Sequence, residues 1–360
     1  MEYIWQYYFL IILIFLQGLF FSLFRKNGMR SFSILCFLEL FFIAGFRAWH
    51  IGTDTPNYIQ AFILSINYPE LMKTHMETGY LLFNRFLILF TTNPQILLIS
   101  TSCFFMFVWL RTLYKYSTSF LFSTVLFVIL EFSTTLTMIR QEIAICIVLL
   151  SLPFIIKRQF LPFIITCCLA ACFHTSAVLA ISLYFIYPLP IKLRYFYLIV
   201  FVSIISFFFL SPIIDQIIEL TGHYGGYKER ISSSEGIKTA IVYKTLFQFT
   251  ITCFCVTSYY LFYSQVQTIK SSLKVSFLLW CSVLAFCAQF ISIRGAGLDR
   301  VVLYFSSFNL VSIPLFVRCY PKQFRLLITI TLVAVFILYR TIIFIYRPEW
   351  NAVLPFEFCF

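Results

Sequence analysis

S-F-S-I-L-C-F-L-E-L-F-F-I-A-G-F at residues 31–46 runs straight into R-A-W-H-I-G-T-D-T-P-N-Y at residues 47–58. The first half is an apolar run broken by one acid, Glu39, and reads as a membrane-crossing helix. The second half puts an arginine, a histidine and an aspartate within eight positions. Ionisable groups at the mouth of a span are costly beside hydrocarbon, so such a cluster is a functional candidate. Gly52-Thr53-Asp54-Thr55-Pro56 reads as a turn, with Asp54 placed to accept backbone amides two residues on. The plainer reading of Asp54 is an Asx-turn or helix cap.

The rest of the chain repeats the pattern of apolar run and charged mouth. Hydrophobic residues make up 61% of the 360 and charged residues 11%, with mean hydropathy +0.93. That composition belongs to an integral membrane protein. The fold class is all-α: a polytopic helical bundle forming a single membrane domain over 1–360. About twelve spans are expected near 3–24, 31–46, 95–113, 119–138, 140–156, 160–173, 175–188, 195–213, 241–263, 275–293, 300–317 and 326–345. The runs 160–173 and 175–188 are short for full spans. Residues 80–90 are shorter still, carry Arg85 and end in T-T-N-P, which reads as a half-span or interfacial helix.

Orientation follows from basic residues in short loops. Arg25/Lys26/Arg30, Arg111/Lys115, Lys157/Arg158, Lys192/Arg194, Lys270/Lys274 and Arg318/Lys322/Arg325 fall in alternate loops, fourteen of the 26 basic residues and none of the acids. Those loops are expected in the cytoplasm, and both termini outside. The net charge of +12 is then largely a topology signal beside anionic inner lipids and does not imply nucleic acid. With no basic leader region, the first span is expected to be retained. The outer segments are 47–94, 214–240 and the tail 346–360. No cytoplasmic domain, P-loop or G-x-G-x-x-G is present to bind a nucleotide. The 12 cysteines lie nearly all inside spans and read as small core hydrophobes. With no metal spacing among them and no D-x-D, neither a metal nor any other cofactor is expected.

Arg47, Arg85, Arg140, Arg294, Arg300, Arg340 and Arg347 lie on the outer side, against the positive-inside bias. An arginine fork suits phosphate, so together they would suit a lipid-linked diphosphate. The alternative is pairing with Asp54, Glu77, Asp299 or Glu349. Glu77 opens the half-span, where an acid also suits the helix dipole. Gln141 follows Arg140 and points with it to the outer vestibule. His174, between two short runs, is either a structural residue or a base in a water-filled recess. His223-Tyr224-Gly225-Gly226-Tyr227 could stack on sugar faces or form a lid. Glu39 and Glu131, mid-span, could mark an ion path, but read better as paired inside the bundle, with Arg340 or Lys244 as partners.

In sequence order the chain carries R-x-x-x-x-G-T-D-T-x-x-Y (47–58), E-x-G-Y (77–80), I-R-Q-x-I-A (139–144), H-T-S-A (174–177), L-D-R-V-x-x-Y (298–304) and W-x-x-x-x-P (350–355). The ordered set resembles the EpsG-like family of bacterial polysaccharide polymerases, which includes Wzy-type O-antigen polymerases. One departure is Phe356, where the family often has tyrosine. The resemblance implies an enzyme of the bacterial inner membrane whose active site faces the periplasm. It would transfer a growing glycan from undecaprenyl diphosphate to the non-reducing end of a lipid-linked repeat unit. Its partners would be that lipid-linked oligosaccharide, membrane lipids, a chain-length regulator and a flippase. The candidate catalytic residues are Asp54, His174 and Glu77. The candidate diphosphate- and sugar-binding residues are Arg47, His50, Thr53, Tyr58, Arg140, Gln141, Arg294, Arg300 and Tyr304. An O-antigen ligase, with the same donor and another acceptor, and a polysaccharide flippase stay open beside it. A membrane acyltransferase fits less well, for want of a histidine-aspartate pair on a cytoplasmic loop.

Overall fold

The computed structural model describes residues 3–24, 27–68, 76–221, 235–293 and 299–360. Its secondary structure is helical, with no named strand among the described residues. The helices are α1 (Ile4–Ser22), α2 (Gly28–Gly45), α3 (Thr55–Asn67), α4 (Thr78–Ile88), α5 (Gln95–Tyr116), α6 (Phe120–Leu130), α7 (Phe132–Thr135), α8 (Ile139–Leu150), α9 (Leu152–Ile156), α10 (Phe160–Ala171), α11 (Ser182–Ile186), α12 (Leu193–Thr221), α13 (Glu235–Leu261), α14 (Tyr263–Thr268), α15 (Val275–Ser292), α16 (Asp299–Ser306), α17 (Asn309–Cys319) and α18 (Lys322–Tyr346).

Among the described residues, seven helical segments are long and apolar enough to cross a membrane: α1, α2, α5, α8–α9, a stretch of α13, α15 and α18. The pair α16 and α17, bent by 46°, makes up to eight. Shorter apolar helices at Phe120–Leu130, Phe160–Ala171, Thr175–Ile186 and Arg194–Phe209 fall on the other expected spans. α1 and α18 leave Phe9, Phe20, Leu326 and Leu338 more than half exposed, surface that suits lipid contact. α4, at 11 residues, is about 16 Å long and cannot cross a core of about 30 Å. Segment 47–94 is thus not a plain loop. It also holds α3, which starts with Pro56 in its first turn and buries Tyr58, Ile59 and Phe62 along one face.

The described residues divide into two compact units, 1–178 with 321–360, and 179–320. In the first, α5 packs on α2 and α8, α10 packs on α8, and α1 and α18 flank α6. In the second, α15 is central, against α12, α13, α16 and α17. Gln248 accepts from Asn309 (3.0 Å), and Thr252 Oγ1 donates to the Ser282 carbonyl (2.9 Å), which satisfies polar groups inside that unit.

The expected span 119–138 is interrupted. α6 ends at Leu130, α7 is one turn, and α8 begins only at Ile139. A break in a membrane-buried helix frees carbonyls that must find other donors, and that need organises the candidate site.

Candidate active site

The first unit meets the break with two arginines. Arg340 donates from Nε to the Ile129 carbonyl (2.9 Å) and from Nη2 to that of Leu130 (2.5 Å), while Tyr7 Oη donates to Ile129 as well (2.8 Å). Leu136, at the far side, accepts from Arg47 Nη2 (3.0 Å) and Thr55 Oγ1 (2.9 Å). Arg47 also donates to the carbonyls of Ala44 and Ile51 and to Ser102 Oγ. It is 1% exposed, and burial pushes its pKa down to about 9. Gly52 completes the arrangement. Its φ is +97°, and a Cβ there would lie 2.4 Å from the Leu136 oxygen. The R-x-x-x-x-G-T-D-T motif is, in large part, a clamp on the helix break.

The tail closes over this clamp. Arg47 and Phe358 form an antiparallel bridge, with Ala48 N donating to Glu357 O and Cys359 N to Phe46 O (both 2.9 Å). Gly52 N reaches Ala352 O (2.9 Å), Thr53 N reaches Asn351 O (3.1 Å), and Thr53 Oγ1 donates to the Glu349 carbonyl (2.6 Å). Gln6 joins from α1, accepting from Phe356 N at 2.9 Å. His50 Nε2 stands 3.5 Å from a Glu357 carboxylate oxygen, both side chains well exposed.

Beside the clamp, α3, α4 and α8 bring their N-terminal turns together. Arg140, in the first turn of α8, pairs through Nη1 with Glu77, the N-cap of α4. Both side chains keep just under a fifth of their surface exposed. The Arg140 guanidinium lies 5.7 Å from the centre of the Tyr58 ring, and Tyr58 meets Tyr80 edge-on at 5.7 Å. Arg140 Nε has no hydrogen-bond partner among the described residues. Gly79 N donates to Cys172 O (2.8 Å), and a Cβ at Gly79 would lie 2.6 Å from that oxygen. This seats α4 against the turn that carries His174, whose Nδ1 is 2.6 Å from Ser176 Oγ.

The sequence-derived candidates therefore separate. Asp54 sits at the N-cap of α3, half-buried and making no capping side-chain bond, while Arg140 touches both Tyr58 and Glu77. His174 and Gln141 are close by in the fold and largely buried, at 7% and 2% exposed. Arg47 and Arg340 hold backbone carbonyls at the break with their guanidinium groups. Thr53 and His50 are engaged with the tail. Arg347 pairs with Glu349 (3.4 Å). Arg300 and Tyr304 belong to α16 in the second unit, where Tyr304 is buried and Asp299 pairs with Lys244 at 3.8 Å. Arg294, Arg25, Lys26 and residues 223–227 lie outside the described residues. Glu39 accepts from Gln17 (2.5 Å), and Glu131 lies within electrostatic reach of Arg340. Five cysteines, among them Cys103 and Cys253, are exposed on the fold rather than in its core.

Two pairs escaped the reading of the sequence. Trp109 Nε1 donates to buried Glu142 (2.5 Å), the unassigned position inside I-R-Q-x-I-A. Asn84 follows Tyr80 by one turn, both fully buried. The i, i+4 spacing of Tyr80 and Asn84 on an amphipathic half-span was the available signal. Among the described residues, no group of three or more His, Cys, Asp or Glu is placed to hold a metal ion.

These features define a polytopic all-helical membrane protein in which polar residues from distant segments gather at one end of a bundle. A sequence model described as the EpsG family matches residues 30–358. The chain belongs to the EpsG family. No curated protein matches it, and no solved structure does. Membership suggests a membrane protein of polysaccharide-polymerase type.

Proposed function

We propose that the protein is a polysaccharide polymerase acting at the periplasmic face of the bacterial inner membrane. It takes a glycan from an undecaprenyl-diphosphate carrier and joins it to the non-reducing end of a new lipid-linked unit. The C1–oxygen bond to the diphosphate breaks, and the diphosphate leaves with the electron pair. The acceptor oxygen bonds to C1 and gives up its proton to a base. A diphosphate is a weak base and needs charge stabilisation more than protonation. The observation carrying this reading is Arg140: a guanidinium braced by Glu77 and Tyr58 that keeps just under a fifth of its side chain open to solvent. Glu77 then serves mainly to orient Arg140, which leaves Asp54 and His174 as the stronger candidates for the base.

Deletion of the gene followed by gel analysis of surface polysaccharide tests the reading. Collapse of the ladder to one repeat unit supports a polymerase. Loss of every repeat identifies a ligase or flippase instead.

A further inference from the structure

α2 and α5 meet closely at the end that carries the candidate site. A Cβ on Gly45 would lie 3.4 Å from Ile99 Cα, and Gln95 Nε2 donates to the Gly45 carbonyl (2.7 Å). At their other end the two helices leave a cavity of about 700 Å³ between them. Its lining is amphiphilic. Arg30, Arg111 and Lys115 supply positive charge, Phe37, Phe107 and Tyr114 supply apolar and aromatic walls, and no lining residue is acidic. The periodicity explains the shape. Arg30 and Phe37 are two turns apart on α2, Phe107, Arg111 and Lys115 one turn apart on α5, so each helix presents one continuous face. Phe107 and Tyr114 are about half exposed (55% and 50%) beside the charges.

We propose that this cavity binds one anionic glycerophospholipid from the leaflet at that end, which the positive-inside reading makes cytoplasmic. The phosphate sits against Arg30, Arg111 and Lys115, and an acyl chain runs between Phe37 and Phe107. Charge complementarity selects the occupant. Cations converging on an apolar cleft between spans fit a negatively charged head joined to hydrocarbon, and a zwitterionic head would leave a cation facing three others. The bound lipid would fill the gap at the open end of the α2–α5 pair, whose closed end positions Arg47 through Gln95 and Ser102. The inference does not depend on the reaction proposed above.

Native mass spectrometry of the full chain in detergent tests it, with phosphatidylglycerol, phosphatidylcholine and a polyprenyl phosphate supplied in equal amounts. One phosphatidylglycerol is expected per chain, preferred over phosphatidylcholine by about tenfold or more. The double variant Arg30→Gln/Arg111→Gln should lower that retention by a similar factor. Equal retention of phosphatidylcholine, preference for polyprenyl phosphate, displacement by soluble glycerol phosphate, or undiminished retention by the variant each overturns the proposal. Should the variant fail to fold, the lipid preference of the parent chain decides alone.

Discussion

Arg47 and Arg140 read alike in the sequence, each an arginine at the outer mouth of a span, yet the fold uses them differently. Arg47 is buried against carbonyls, so Arg47→Lys should leave two or more of them without donors, at about 1–3 kcal/mol each. The expected readout is a lowered thermal midpoint and less folded protein in the membrane. Arg140→Lys keeps the charge but loses the fork, and should shorten polysaccharide chains while protein levels hold. If Arg47→Lys proves as stable as the parent, the carbonyl-holding role is wrong. Normal ladders from Arg140→Lys would sink bidentate phosphate binding. Asp54→Asn and His174→Gln separate the two base candidates. The true base should lose on the order of 10²–10⁴ in rate when changed, and wild-type ladders from both variants would leave Glu77 as the remaining choice. Charge type and position were legible at this scale. What each guanidinium touches was not: Arg47 depends on a helix break more than 80 residues further along, and Arg140 on Glu77 and Tyr58, which come to it from other helices.

That break belongs to the scale of elements. Glu131 opens the polar run E-F-S-T-T-L-T at 131–137, the point where α6 stops, a local signal that a span of fixed length drawn over 119–138 passes across. Seven of the expected spans, or eight with the bent α16–α17 pair, were legible among the described residues because apolar length specifies them. The short α4 was legible too, since its apolar run carries Arg85 and ends at T-T-N-P. Two glycines set how the short helices seat. At Gly52 the positive φ and the Leu136 oxygen leave no room for a side chain, and at Gly79 the Cys172 oxygen does the same. In both cases the obstacle is backbone, which cannot swing aside. Gly52→Ala and Gly79→Ala should each destabilise by about 1–3 kcal/mol. Gly79→Ala should also loosen the Glu77–Arg140 contact, because α4 carries Glu77. Unchanged melting of both proteins in detergent would show that these close approaches do not exist.

On the scale of the whole molecule, the unforeseen feature is that residues 46–54 and the 349–359 tail form one structure. Sequence order separates them by about 300 positions, and no local pattern signals an isolated bridge between Arg47 and Phe358. The same contact makes a test of orientation, since a disulfide persists only in an oxidising compartment. Phe46 and Cys359 stand opposite each other next to that bridge, with Cys359 N donating to Phe46 O at 2.9 Å. Directly opposed residues in antiparallel strands have Cα atoms about 5.5 Å apart, within disulfide range. Phe46→Cys should therefore cross-link spontaneously to Cys359 in growing cells, read as loss of thiol labelling at position 359 that returns on reduction. The variant combined with Cys359→Ser is the control. Cross-linking only after lysis and added oxidant would place this end of the bundle in the cytoplasm, and the proposed periplasmic site with it would fail. Absence of the bond even with oxidant would mean that the tail does not dock on the clamp. Spontaneous closure would place the clamp, the break it holds and the Arg140–Glu77 pair beside it on the outer side, as the proposed reaction requires.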